Sequence, residues 1–210
     1  MSDIEKFITG FKQFQHQYFG ENSELFDRLK KVQQPRTLII SCCDSRVDPA
    51  ILTSSEPGDL FVVRNVANLV PPCEVGGGHH GVSAALEFGV CSLGVEHIIV
   101  LGHSQCGGIR ALMEDSYGSG EGGFIAKWMH IAAPAREKIR KDLPHKSIEL
   151  QSYACEQAAI LQSLENLLTF PWIAQRVNKG ALSLHGWYFD ISQGELLGYD
   201  VIAQTFIPLQ

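Results

Sequence analysis

The stretch Thr37–Pro49, TLIISCCDSRVDP, decides how this chain is read. Thr37, Leu38, Ile39 and Ile40 make a short apolar, β-rich run, the pattern of a strand covered on both faces. Asp48 followed by Pro49 reads as an N-cap with proline at the first helical position, which makes Cys42 to Val47 a strand-to-helix turn. Such turns lie outside the carboxyl end of a parallel sheet, where open α/β folds bind their ligands. Cys42, Asp44 and Arg46 therefore fall at one active-site edge.

A second stretch, His97–Gly108 (HIIVLGHSQCGG), repeats the pattern: the apolar run Ile98–Leu101 ends in His103 and Cys106. Two strand ends thus deliver soft metal ligands, and Cys42, His103 and Cys106 make three. A thiolate, imidazole, thiolate set suits zinc, and three protein ligands leave a position open for water.

The run Cys42-Cys43-Asp44-Ser45-Arg46, followed 61 residues after its first cysteine by His103-Ser104-Gln105-Cys106-Gly107-Gly108, resembles the C-x-D-S-R and H-x-x-C-G pattern of the β-class carbonic anhydrases. The resemblance continues through Glu56-Pro57-Gly58-Asp59, through Phe61 to Asn68 (FVVRNVAN) and through Leu184 to Tyr188 (LHGWY), and so covers nearly the whole chain. It implies one zinc ion per chain on Cys42, His103 and Cys106. The implied activity is reversible hydration of carbon dioxide to bicarbonate and a proton, through a zinc-bound hydroxide. Two thiolates formally cancel the charge of zinc, so bound water is expected to be less acidic than in a three-histidine site, where it ionises near about pH 7. Activity is therefore expected to climb above neutrality.

Asp44 and Arg46 suit the surroundings of that hydroxide. A bidentate guanidinium clamp holds a carboxylate off the metal and leaves it to orient the hydroxide, as this pair does in the resembling family. Family members that close their aspartate onto zinc carry a tryptophan three residues before the first ligand, with an arginine and a tyrosine. Arg64 matches that arginine, but Ile39 stands at the tryptophan position, so the always-open form is expected here. The resemblance further implies a substrate pocket of Gln33, Phe61, Val66, the amide of Gly107, and Phe88 where plant members often carry tyrosine. It also implies a homodimer or homotetramer with clefts shared across the dimer interface. Hydrolysis of carbonyl sulfide or carbon disulfide is the alternative on the same scaffold. A structural-zinc or sensor protein closed by Cys43 or Asp44 is the alternative from another class, and the absence of a Cys-x-x-Cys motif disfavours a thiol redox protein.

The 210 residues, 45% of them hydrophobic, fit one domain with a substantial core. A net charge of -6 provides no basic field for nucleic acid. No apolar run approaches the ~18 residues of a membrane span, and the acidic, amphipathic start does not read as a signal peptide, so a cytoplasmic protein without membrane partners is expected. Cys73, Cys91 and Cys155 read as ordinary thiols, and Cys43 is expected to pack behind the turn because neighbouring side chains at a strand end point opposite ways. His79 and His80, beside Gly76-Gly77-Gly78, read as solvent-facing, and the remaining histidines as structural.

The fold expected for residues 1–210 is a single α/β domain: a mostly parallel central sheet flanked by helices, with an antiparallel edge strand and an N-terminal helical arm over residues 1–30. Ile4, Phe7, Ile8, Phe11, Phe14 and Tyr18 form a helical stripe in that arm, which is expected to pack across a partner subunit. Leu60–Arg64 is the second strand and Ala181–Asp190 the fourth, turning through Ile191–Gly194 into Leu196–Asp200. Val82, Ala85, Leu86, Val90 and Leu93 mark a helix capped by Gly94. Gly107-Gly108 opens another, Tyr117–Gly123 is a glycine-rich loop, and Phe124–Lys141 is a helix broken by Pro134. Leu150, Ala154, Ala158, Leu161, Leu164 and Leu168 mark one face of a last helix over residues 149–168.

Overall fold

Two strands are apolar enough to sit at the centre of a sheet. β1 (Thr37–Cys42) and β3 (His97–His103) are buried from their second residue onward, which requires neighbours on both sides and cover on both faces. The computed structural model, which describes residues 2–209 except Asn22, Val75, Gly77 and 118–122, pairs them in parallel with Ile39 opposite Ile99. β2 (Leu60–Asn65) lies parallel outside β1, and β4 (Ser183–Asp190) lies parallel outside β3. β5 (Glu195–Asp200) and β6 (Thr205–Pro208) follow antiparallel, giving the order β2-β1-β3-β4-β5-β6. The expected mixed α/β sheet is therefore present. β6 was not anticipated; its proline sits on an edge strand, where a missing N–H costs no ladder bond.

From β1 the chain moves outward one way to β2, and from β3 the other way to β4. The order reverses between β1 and β3, and this switch point is where a parallel sheet leaves a crevice at its carboxyl ends. Cys42 and His103 are the last residues of those two strands.

Leu38, Ile40, Ile98 and Val100 share a core with Leu86, Val90, Ile160, Leu167 and Ile173 from the helices. These helices are α4 (Gly81–Glu87, continued by a π-helical turn Phe88–Leu93 and ended by left-handed Gly94), α8 (Ile148–Leu167) and α9 (Pro171–Asn178). The opposite face buries Ile39, Ile99 and Leu101 with Val47, next to the short α3 (Pro49–Thr53). A third cluster lies under the switch point, where α5 (Gly107–Glu114), α6 (Phe124–Met129) and α7 (Ala133–Asp142) pack around Cys42 and Cys106. Pro134 falls in the first turn of α7, so the expected break divides one predicted helix into two. The predicted loop Tyr117–Gly123 lies for the most part outside the described residues. No described helix is long and apolar enough to cross a membrane.

α8 corrects the sequence reading. Its buried residues are Ser152, Cys155, Glu156, Ala159, Ile160, Ser163, Asn166 and Leu167, whereas Leu150 and Leu168 are exposed. The helix turns a half-polar face inward because that face serves backbone groups. Ser163 Oγ accepts the Val70 amide, and Asn166 Nδ2 donates to the Val70 carbonyl.

Residues Met1–Gln34 form a compact unit separate from Pro35–Gln210. In it α1 (Asp3–Gln15) starts at a Ser2/Glu5 capping box, and a π-helical turn leads to α2 (Ser23–Leu29). Phe14, Tyr18, Phe19 and Phe26 pack edge-on and tilted against one another, while Ile4, Phe7, Ile8 and Phe11 stay exposed.

Gly102 of β3 and Gly186 of β4 let α8 sit close to the sheet. A Cβ on Gly102 would lie 2.7 Å from Ile160 Cδ1 and 2.8 Å from its Cγ1. Because Ile160 is fully buried, Gly102→Ala is expected to cost about 1–3 kcal/mol. Urea unfolding would measure it, and Ile160→Val in the same chain should recover part of the loss.

Candidate metal centre

β1 delivers Cys42 into a turn that one arginine holds. Arg64, near the end of β2, donates from Nε to the Cys42 carbonyl (3.0 Å) and from Nη2 to the carbonyls of Asp44 (2.8 Å) and Val47 (3.1 Å); its Nη1 reaches Asp48 Oδ2 (3.1 Å). Asp48 meanwhile caps α3 through the amides of Ala50 and Ile51. Sequence matching gave Arg64 only as a family arginine. Its grip on the turn was legible just as a charged residue closing an apolar strand.

β3 delivers His103, and a short loop brings Cys106 back beside it. Gln105 lies between them with φ of 60°, a left-handed conformation that costs a non-glycine residue about 1–3 kcal/mol and persists only where surroundings impose it. The Gln105 carbonyl accepts from Arg46 Nη2 (3.2 Å), and its side-chain amide donates to Ser192 Oγ (3.0 Å). Gly108 allows Val66 and Ala67 to approach α5, for a Cβ there would lie 2.8 Å from Val66 Cγ1.

Cys42, His103 and Cys106 are 5%, 1% and 2% exposed, and their ligand atoms all lie within 4.8 Å of one another. His103 Nδ1 is 2.9 Å from the Ser104 carbonyl. A carbonyl only accepts, so Nδ1 carries the proton and Nε2 offers its lone pair toward the thiols. That Nε2 is buried without a hydrogen-bond partner. An orphaned imidazole nitrogen facing two buried thiols fits a divalent, thiophilic metal, and zinc matches the donor set. Without metal, the Cys106 thiol hydrogen-bonds Cys42 and holds it down to about 4 against the effect of burial, with His103 adding to the effect. Cys106 is pushed up, first by that same bond and then by burial. Burial opposes charge on His103, yet Cys42, the Ser104 carbonyl and Asp44 together raise it.

Asp44 stands beside this cluster, its Oδ2 4.0 Å from His103 Nε2. Arg46 clamps it: Nε donates to Oδ1 (2.9 Å), Nη2 to Oδ2 (2.8 Å), and the Arg46 amide also to Oδ1 (3.0 Å). Those bonds hold the Asp44 carboxyl well below the usual range, against a smaller opposing contribution from burial.

The structure thus brings together Cys42, His103, Cys106, Asp44 and Arg46, with Val66 and the first amide of α5, on Gly107, at the edge. Phe61 and Phe88 lie elsewhere. Phe61 pairs with Leu38, four residues before Cys42 and so roughly 13 Å down the sheet at about 3.3 Å per residue, and Phe88 packs on Phe61 with ring centroids 5.9 Å apart. Gln33 is an exposed residue of the first unit. Cys43 is exposed rather than packed behind the turn. Its amide extends the pairing to the Asn65 carbonyl, and it lines an apolar cleft with Val66, Val82, Ile125 and Trp128. His97 and His185, read as structural, face each other with Nδ1 and Nε2 3.2 Å apart.

The family model described as carbonic anhydrase matches residues 37–196. β-Carbonic anhydrase 3 of Arabidopsis thaliana is 40% identical over 193 residues, 91% of this chain and 74% of that one. This chain belongs to the β-carbonic anhydrases. A carbonic anhydrase of Synechocystis sp. is 37% identical over 207 residues, covering 99% of this chain and 75% of the relative. The solved β-carbonic anhydrase CcaA superposes with a TM-score of 0.93 at 37% identity, covering 100% of this chain and 93% of that one. One of two tetrameric β-carbonic anhydrases from Sordaria macrospora gives 0.74 at 28% identity over 92% of each chain. The chain is accordingly a carbonic anhydrase enzyme, of the family that hydrates carbon dioxide.

The thiol pair yields a proton count. With Cys42 already ionised and Cys106 protonated, the thiols should release close to one proton per site on metal loading at about pH 7, against nearly two for thiols that both titrate near their ordinary ~8.5. Titration calorimetry in buffers of different ionisation enthalpy would measure it.

Proposed function

We propose that Cys42, His103 and Cys106 hold one zinc ion per chain, and that Asp44 and Arg46 orient the water that adds to carbon dioxide. The observation that carries this reading is the clamped Asp44 carboxylate, 4.0 Å from the free nitrogen of His103, because a purely structural metal site has no use for an oriented acceptor beside it. Zinc bound there would act as a Lewis acid that makes water acidic and nucleophilic near neutral pH.

The protein's part follows from its own groups. Arg46 satisfies both Asp44 oxygens and so removes the incentive for the carboxylate to become a fourth ligand. Oδ2 keeps lone-pair capacity toward the cluster, where it accepts the hydrogen of the reacting water and turns an oxygen lone pair toward carbon dioxide. Val66 supplies an apolar wall for that substrate. The Gly107 amide, unpaired within its helix as a first-turn donor, is available to a substrate oxygen. Gln33, Phe61 and Phe88 complete the pocket in this reading from a second copy of the chain, which the roughly 13 Å separation within one chain supports. A homodimer, or a homotetramer built from it, supplies that copy, and the exposed Ile4, Phe7, Ile8 and Phe11 of α1 are its packing surface.

Stopped-flow hydration assays with a pH indicator test the chemistry. Native protein should turn over, and chelator-stripped protein should not. Asp44→Asn should lose roughly 10²-fold or more. The native rate should rise across about pH 6 to 9, and that rise does not belong to Asp44: its depressed pKa keeps it ionised throughout, and its protonation enters only in acid below the ordinary ~3.9. A flat profile, or metal-loaded protein inactive on carbon dioxide but active on carbonyl sulfide, would displace this reading. For the arm, Phe7→Asp with Phe11→Asp should shrink the assembly by light scattering, and an unchanged soluble oligomer would count against its packing role.

A further inference from the structure

Glu156 is a buried carboxylate that the chemistry above does not use. It lies on the inner face of α8, 5% exposed, and no cation forms a salt bridge with it among the described residues. Two donors satisfy it instead. Oε1 accepts the backbone amide of Cys106 (2.9 Å) and Oε2 the phenol of Tyr188 (2.7 Å). Tyr188, on β4, is fully buried, with Tyr153 edge-on at 5.5 Å and Phe206 at 6.1 Å. Burial pushes its phenol up, so it keeps its proton and is the donor.

Burying a carboxylate without a cation is costly, and a fold that needed only packing at this point would place an apolar side chain there. What Glu156 contacts explains its presence. Cys106 occupies the N-cap position of α5 without a side-chain cap bond, so its amide has no partner in the helix ladder. It also follows Gln105, whose left-handed backbone must be imposed from outside. Arg46 and Ser192 anchor Gln105, and Ser104 donates its amide to the Phe189 carbonyl. Glu156 is the side chain that anchors Cys106 itself.

We propose that Glu156, held in place by Tyr188, is a positioning residue that fixes the Cys106 backbone so that its thiolate is preorganised for metal. The inference rests on the reading of Cys42, His103 and Cys106 as the metal ligands. It extends that set by a hydrogen-bonded chain through α8 to β4.

The test uses Co(II) alone as probe, with full-length native protein, Glu156→Gln, Glu156→Ala and Tyr188→Phe. Readouts are the thiolate-to-cobalt charge-transfer absorption, cobalt affinity in competition with a chelator, and thermal melting of the metal-free forms. Native protein should take one cobalt per chain and show the charge-transfer band. If it does not, the ligand assignment itself fails, whatever the variants do. Glu156→Ala should bind cobalt about 10- to 100-fold more weakly, the usual cost of removing a group that orients a metal ligand, with an altered band. Glu156→Gln, which keeps an oxygen for the Cys106 amide, should recover most of the affinity, and Tyr188→Phe should fall between the two. A merely structural Glu156 would lower melting while leaving the cobalt spectrum and affinity of folded protein at native values, and that result overturns the proposal. Should Glu156→Ala fail to fold, Tyr188→Phe decides alone: native affinity and spectrum in that variant overturn the proposal equally.

Discussion

A strand that ends in chemistry leaves its next carbonyls without ladder partners, and here one guanidinium takes three of them. Arg64 binds the carbonyls of Cys42, Asp44 and Val47 while pairing with Asp48. That grip fixes where Cys42 leaves β1, which way the Asp44 backbone faces, and where α3 begins. Every group at the candidate centre from the β1 side depends on it. A guanidinium suits the task because its donors lie in one rigid plane, whereas an ammonium presents a single point of charge.

Strain solves the same problem in the loop after β3, at Gln105, and after β2, at Ala67 and Asn68. Ala67, Asn68 and Gln105 all have positive φ without being glycine, and all three lie next to the ligand set. Unfavourable backbone of this kind gathers where side chains must be aimed against local preference. Asn65 compensates locally, its side chain accepting the Leu69 amide and donating to the Leu69 carbonyl. Arg46 then ties the two sides together by holding Asp44 from one loop and the Gln105 carbonyl from the other.

The parts of this architecture that obey local rules were legible in the sequence. The apolar runs at Leu38–Ile40 and Ile98–Leu101, the Asp48–Pro49 helix start, the Gly94 cap and the hairpin through Ile191–Gly194 each follow from propensity within a few residues, and the three ligands could be placed because they close such runs. What escaped was governed by contacts distant in sequence. The expected stripe of α8 meets the core only in part, through Ala154, Ala158 and Leu164, because the buried side of the helix carries Ser152, Glu156, Ser163 and Asn166, partners for groups that periodicity cannot see. The only sign of Glu156 was a lone acid in the apolar run ACEQAAIL. Phe61 and Phe88 lie away from the cluster within one chain, and one sequence cannot tell which copy of a chain a side chain serves.

The adjacency of β1 and β3 has a consequence for how the protein comes into being. Roughly fifty residues, including α3, β2 and α4, lie between these two central strands, so their pairing closes a long loop before any contact rewards it. The ligand atoms of Cys42 and His103 cannot meet until that closure is complete. Local helices, the β4–β5 hairpin and the short loop between His103 and Cys106 can form earlier without bringing Cys42 to them. A chain that holds the three-residue cluster has therefore already paired its two central strands.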